Sequence, residues 1–130
     1  MKGKLILEVG CGTGYGADYL SPVTSEMISI DVWKDGIASC RSKCNKSNLS
    51  FIPANALRRP FKDASFDAIL SFQVIEHFSR IDSAQYISEI KRTLRNDGIF
   101  IATTPNSKLR LLPSRNKEIL SICENMIMQV

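Results

Sequence analysis

At 130 residues, with 44% hydrophobic and 23% charged side chains and a formal net charge of +4, the chain has the composition of one globular domain, which excludes a disordered or fibrous protein. Its apolar runs fall far short of the roughly 20 residues that span a bilayer, and Met1 to Lys4 leads too soon into Leu5-Ile6-Leu7-Glu8-Val9 to serve as a secretion signal. The expectation is a soluble, cytoplasmic protein without a membrane span.

In chain order, Lys4 to Val9 is apolar but for Glu8, and Gly10-Cys11-Gly12-Thr13-Gly14-Tyr15-Gly16 stops it sharply. Short apolar runs bounded by glycine predict strands buried on both faces of a parallel sheet. Tyr15 to Leu20 predicts a short helix ended by Ser21-Pro22, Met27 to Asp31 a second strand, and Asp35 to Asn45 a helix with Ile37, Cys40 and Cys44 on one side. Leu49 to Pro53 reads as a third strand, Ala54 to Ala64 as a loop, and Phe66 to Phe72 as a fourth strand. Asp82 or Ser83 is a candidate cap for a helix to about Leu94, with Tyr86, Ile87, Ile90 and Leu94 on one face. Asn96-Asp97-Gly98 is expected to end it, Gly98 in the left-handed position, before a fifth strand from Ile99 to Thr103.

Strands alternating with helices imply βαβ units with right-handed crossovers. Residues 1–107 form the expected core and 108–130 a tail, in which Lys117 to Val130 predicts an amphipathic helix and no further strand is evident.

From Arg41 to Lys62 there are six basic residues and no acid. Such a stretch attracts phosphates, although charge runs are more often solvated surface. Cysteines at 11, 40, 44 and 123 form no CxxC and accompany a single histidine, which argues against a zinc site and for reduced thiols.

The chemistry concentrates around Glu8-Val9-Gly10-Cys11-Gly12-Thr13-Gly14. A glycine turn after the first strand of a parallel sheet lets backbone approach a ligand closely. Gly12-x-Gly14-x-x-Ala17 also fits the dinucleotide pattern, so NAD is an alternative ligand. Asp31, about twenty residues beyond the glycines, is placed to accept both hydroxyls of a ribose. Glu8 lies inside a strand, where an unpaired charge is costly, so it needs donors from the loop or a ligand.

These residues resemble motif I of the class I S-adenosylmethionine-dependent methyltransferases. The likeness continues through Asp31, Pro60-Phe61, the run from Ala64 to Ile69, Phe72-Gln73-Val74-Ile75-Glu76-His77, the turn Leu94 to Phe100, and Thr104-Pro105-Asn106. The segment around Glu76-His77 is similar to the type 11 and type 23 subfamilies. The resemblance covers residues 4 to about 106. It implies a doubly wound, Rossmann-like α/β sheet of about five strands in the order 3-2-1-4-5. It also implies S-adenosyl-L-methionine as cofactor and a small-molecule methyl acceptor, with no metal and no nucleic acid.

By the same resemblance, Glu8, Gly10, Cys11, Gly12 and Gly14 would lie beside the aminocarboxypropyl and ribose part of the cofactor. Asp31 would hold the ribose, Val32 would pack on adenine, and Asn55-Ala56 and Phe72 would complete the site. The family carries an acid where Asn55 stands, so the adenine contact would be weaker. Glu76 or His77 is the candidate base, the other reading being that the pair orients a helix. In the small-RNA 3′-end enzymes a related segment holds magnesium, but Gln73 and the lack of a second histidine depart from it.

The family core has seven strands, the last two an antiparallel hairpin. Here no such hairpin is clear. The rival reading is therefore a truncated or non-catalytic cofactor-binding remnant, with the fifth strand as an exposed edge open to homodimer pairing.

Overall fold

The computed structural model describes residues 4–72, 74, 78–103 and 110–113. Glu76, His77, Gln73, Thr104 to Asn106, Cys123 and the expected helix from Lys117 to Val130 lie outside the described residues.

The elements in chain order are β1 (Leu5–Val9), α1 (Tyr15–Leu20), a 3-10 turn (Ser21–Val23), β2 (Glu26–Asp31), α2 (Lys34–Lys43), β3 (Leu49–Pro53), β4 (Phe66–Phe72), α3 (Arg80–Thr93), β5 (Leu94–Thr103) and β6 (Arg110–Pro113). One sheet runs β3-β2-β1-β4-β5-β6. Its first five strands are parallel, with Leu7 opposite both Ile28 and Ile69. The order expected from the sequence, 3-2-1-4-5, is the order found.

Both faces of this sheet are covered, which is why its strands carry near-continuous apolar runs. The pleat divides them. Leu7, Val9, Ile69 and Phe100 pack with Tyr86, Ile87 and Ile90 of α3. Ile6, Ala68 and Leu70 point the other way and pack with Ala17 of α1 and Ile37 and Cys40 of α2. Alternate residues of one strand thus serve two cores.

Four local expectations are corrected. Helix α3 starts earlier than expected: its cap is Ser79, whose Oγ accepts from the Asp82 N–H at 3.2 Å. Gly98 does not take a left-handed turn, since positive φ among glycines is confined to Gly10, Gly12 and Gly14 in the described residues. Gly98 is instead buried in the shifted register between β4 and β5, where Phe66 pairs with Leu94 and Ala68 already with Ile99. A Cβ there would come within 2.5 Å of Leu94 Cδ1, so the glycine answers a packing need. The helix itself ends at Thr93, and Leu94 turns directly into strand.

The fourth correction concerns the tail and the sheet edge. Arg110–Pro113 pairs antiparallel with Ile99 to Ala102, so β5 is not the bare edge that was expected. Two leucines between an arginine and a proline are too few to show an alternation. At the opposite edge, Arg41 Nε donates to the Phe51 carbonyl of β3 at 2.9 Å.

Half of the basic stretch is engaged within the fold, while Lys43, Arg58 and Lys62 are exposed. Besides Arg41, Lys46 pairs with Asp18 at 2.9 Å, and Arg59 is 4% exposed. No helix among the described residues is long and apolar enough to cross a membrane.

Candidate functional site

The strand order reverses between β1 and β4, and folds of this kind take their ligands at the carboxyl ends of the strands beside such a reversal. A crevice of about 330 Å³ lies there. Its walls come from the ends of four strands and the residues just beyond them: Val9 and Gly10 at β1, Ile30 to Val32 at β2, Ala54 to Ala56 after β3, and Phe72 and Val74 at β4, together with Phe78.

The glycine turn is built by backbone hydrogen bonds. The Gly10 and Cys11 N–H groups both donate to the Ile30 carbonyl, at 2.8 and 3.1 Å, and the Gly14 N–H donates to the Cys11 carbonyl at 2.9 Å. Gly10 has φ of 76°, and a Cβ on it would stand 2.6 Å from Val74 Cγ2, another wall of the crevice. Gly14 has φ of 81°, and a Cβ would meet Cys40 Sγ at 2.8 Å. Glycine is required at both places by conformation and by space.

Asp31 joins the turn to β2. Its Oδ2 accepts from the Gly12 N–H and its Oδ1 from the Trp33 N–H, both at 2.9 Å. Each carboxylate oxygen has a second lone pair, so Asp31 can still accept two hydroxyl donors from a ligand. The carboxylate is thereby fixed in orientation before a ligand arrives.

Glu8 lies beneath the turn rather than on the crevice wall. It is 4% exposed, and its Oε1 accepts from Ser29 Oγ at 3.1 Å. Burial raises its pKa above the usual carboxyl value; the Ser29 hydrogen bond opposes this and the nearby Asp31 charge adds to it. A carboxyl that holds its proton more tightly when folded contributes a cost that grows as pH rises. That cost begins above the unfolded pKa of roughly 4.3 and is complete once pH passes the folded value. Glu8→Gln should therefore gain melting temperature relative to wild type between pH 4 and pH 8. Thermal melts across that range check this; an offset that does not vary with pH counts against it.

Of the residues singled out in the sequence, Gly10, Asp31, Val32, Asn55, Ala56 and Phe72 line the crevice. Glu8, Cys11, Gly12 and Gly14 are not among its walls. Gly12 reaches the site through Asp31, and Cys11 is buried with Cys40 in the core under the turn. Burial pushes the Cys11 thiol far up, with the Glu8 charge adding to it, so this thiol is inert packing. Val9, Ile30, Ala54, Val74 and Phe78 are walls that sequence reasoning did not name. The first three immediately precede named residues, and adjacency was the available signal. Val74 lies within the segment from Phe72 to His77, and Phe78 directly follows it.

The loop after β3 is held against α3. Gln85 Nε2 donates to the Leu57 carbonyl at 3.0 Å, and Arg92 donates to the carbonyls of Phe61 and Arg59 at 2.7 and 3.1 Å. Arg59 runs inward beneath Ala56. It donates to the carbonyls of Ala56 and Tyr86 and to Thr93 Oγ1, and lies 5.5 Å over the Tyr86 ring. Tyr86 in turn donates to Ser71 Oγ of β4.

A doubly wound sheet with this crevice defines a protein of the nucleotide-binding α/β class. A family model described as a methyltransferase domain matches residues 7–102. A probable S-adenosylmethionine-dependent methyltransferase of Mycolicibacterium smegmatis is 38% identical over 114 residues, covering 88% of this chain and 42% of that protein. A fatty-acid O-methyltransferase of the same organism is 38% identical over 107 residues, covering 79% of this chain and 38% of that protein. Among solved structures, the YcgJ protein from Bacillus subtilis is similar with a TM-score of 0.69 and 29% identity, covering 76% of this chain and 43% of that one. The chain belongs to the methyltransferase-domain family. It spans about two fifths of the length of the curated relatives it matches.

Proposed function

We propose that the crevice binds S-adenosylmethionine and that the protein transfers a methyl group to a small, lipid-like acceptor. The observation that carries the cofactor assignment is Asp31, a carboxylate oriented by two backbone N–H groups in a crevice whose other walls are apolar but for Asn55. The donor set fits the group. A ribose diol needs paired acceptors, which Asp31 supplies. A purine needs apolar faces and a polar edge, which Val32, Ala54, Ala56 and Asn55 supply. At Gly12 a Cβ would meet nothing within 4 Å, leaving open space beside the turn for the rest of the ligand.

Bound there, S-adenosylmethionine would supply an electrophilic methyl group on a sulfonium. The chain's own task is positioning, which carries much of the catalysis of an in-line displacement. Asp31 and the turn orient the cofactor, while Phe72, Val74 and Phe78 keep that end of the crevice apolar. The lipid-like acceptor is supported by the fatty-acid O-methyltransferase relative. The free thiols of Cys11, Cys40 and Cys44 suit a reducing, cytoplasmic setting.

In this reading Glu76 or His77 serves as the base for acceptors that must lose a proton, with His77 the one tested first. A fatty-acid carboxylate is already ionised at neutral pH and needs none. His77→Ala should thus leave methylation of a carboxylate acceptor near wild type and slow a hydroxyl acceptor by roughly 100-fold or more. Wild-type turnover of the hydroxyl acceptor by the variant removes His77 as that base.

The reading as a whole is tested by calorimetric titration with S-adenosylhomocysteine and, separately, with NAD. Binding of the first and not the second is expected; a response to NAD alone overturns it.

A further inference from the structure

The cofactor reading leaves open how the purine edge is read, and the turn after β3 bears on it. Asn55 lines the crevice. Its side-chain oxygen is already engaged, accepting from the Leu57 N–H at 2.9 Å. Its main-chain carbonyl accepts from the Arg58 N–H at 3.1 Å, which closes the segment into a tight turn. Asn side chains favour such turns because the carbonyl oxygen mimics a backbone acceptor. The orientation of the amide follows: with Oδ1 turned to the backbone, Nδ2 is the group left for a ligand. Among the described residues Nδ2 has no partner.

We propose that Asn55 presents a hydrogen-bond donor to the base edge, so that the site distinguishes a 6-amino purine from a 6-oxo purine only weakly. This rests on the cofactor reading above. A 6-amino purine offers a donor at its exocyclic nitrogen and acceptors at its ring nitrogens, whereas a 6-oxo purine offers an acceptor at the exocyclic position. A carboxylate at this position has acceptors alone, so it would reward the exocyclic amine and repel the exocyclic oxygen. An amide whose oxygen is held by the backbone does neither. Its N–H₂ group donates to a ring nitrogen of one base or to the exocyclic oxygen of the other. Strong discrimination arises where a site is built to pair with the group that differs. Here the polar group at the edge finds an acceptor on either base, at a ring nitrogen of one and at the exocyclic oxygen of the other.

The test is the ratio of dissociation constants for S-inosylhomocysteine and S-adenosylhomocysteine, measured by calorimetry on the wild type and on Asn55→Asp. Aspartate preserves the turn, because it too accepts from the Leu57 N–H. The wild-type ratio is expected to lie below about tenfold, and to rise at least about fivefold further in Asn55→Asp. A wild-type ratio above tenfold overturns the inference, as does a ratio that rises less than fivefold in the variant. If S-adenosylhomocysteine binds and Asp31→Ala abolishes that binding, either result overturns this inference alone. If neither ligand binds, the cofactor reading fails and this inference with it.

Discussion

Asp31→Ala should weaken S-adenosylhomocysteine binding by about 100-fold or more. Two charge-assisted hydrogen bonds to a ribose diol are each worth roughly 1.5–3 kcal/mol, and the substitution removes both. It also releases the Gly12 and Trp33 N–H groups, which the carboxylate holds at 2.9 Å, so the glycine turn loses one of its ties to β2 and keeps those to the Ile30 carbonyl. Asp31→Asn keeps one acceptor oxygen and the shape, and should lose about tenfold. Titration calorimetry on both variants measures this. Affinity within threefold of wild type in Asp31→Ala would place the ribose elsewhere. Asp31 is only half-buried, so the unliganded variants should still melt cooperatively.

Arg59→Ala should cost about 3 kcal/mol of stability, a large effect for a position that reads as surface charge in the sequence. Its guanidinium is buried and serves Ala56, Tyr86 and Thr93 at once. Removing it takes one donor from each of those acceptors and opens a space beside Tyr86 in the core. For a chain of this size that corresponds to a drop of roughly 10 °C in Tm. The exposed neighbour Arg58 is the control, and Arg58→Ala should stay within about 0.5 kcal/mol. Because Arg59 supports the Ala56 end of the crevice, the Arg59 variant should also bind S-adenosylhomocysteine less tightly below its Tm. Equal melting of the two variants would contradict the role given to the buried guanidinium.

Arg59 also shows where sequence reading stops. In the chain it is one of six cations in an acid-free stretch, and nothing in that pattern separates it from Lys62. Its burial is decided by α3, more than twenty residues away, whose Tyr86 and Thr93 form the place it enters. Gly98 failed for a related reason. A glycine after a helical run suits a left-handed turn, but the shifted β4–β5 register demanded room instead. Where a signal is local and periodic, it was legible. The bounds of β3 and β4 were read to the residue, and Gly10 and Asp31 were placed at the crevice because glycine spacing and strand ends are properties of short segments. The donor face of Asn55 was not legible, since it depends on where one backbone N–H points.

The contact between Arg41 and the Phe51 carbonyl has a consequence for solubility. Strand β3 ends the sheet, and an end strand with free main-chain groups is a template on which another chain can add itself. A guanidinium seated on one of those carbonyls must be displaced before any newcomer can pair, and it brings a positive charge to repel a second copy carrying the same residue. The fold guards its outermost strand with a side chain borrowed from the helix that precedes it.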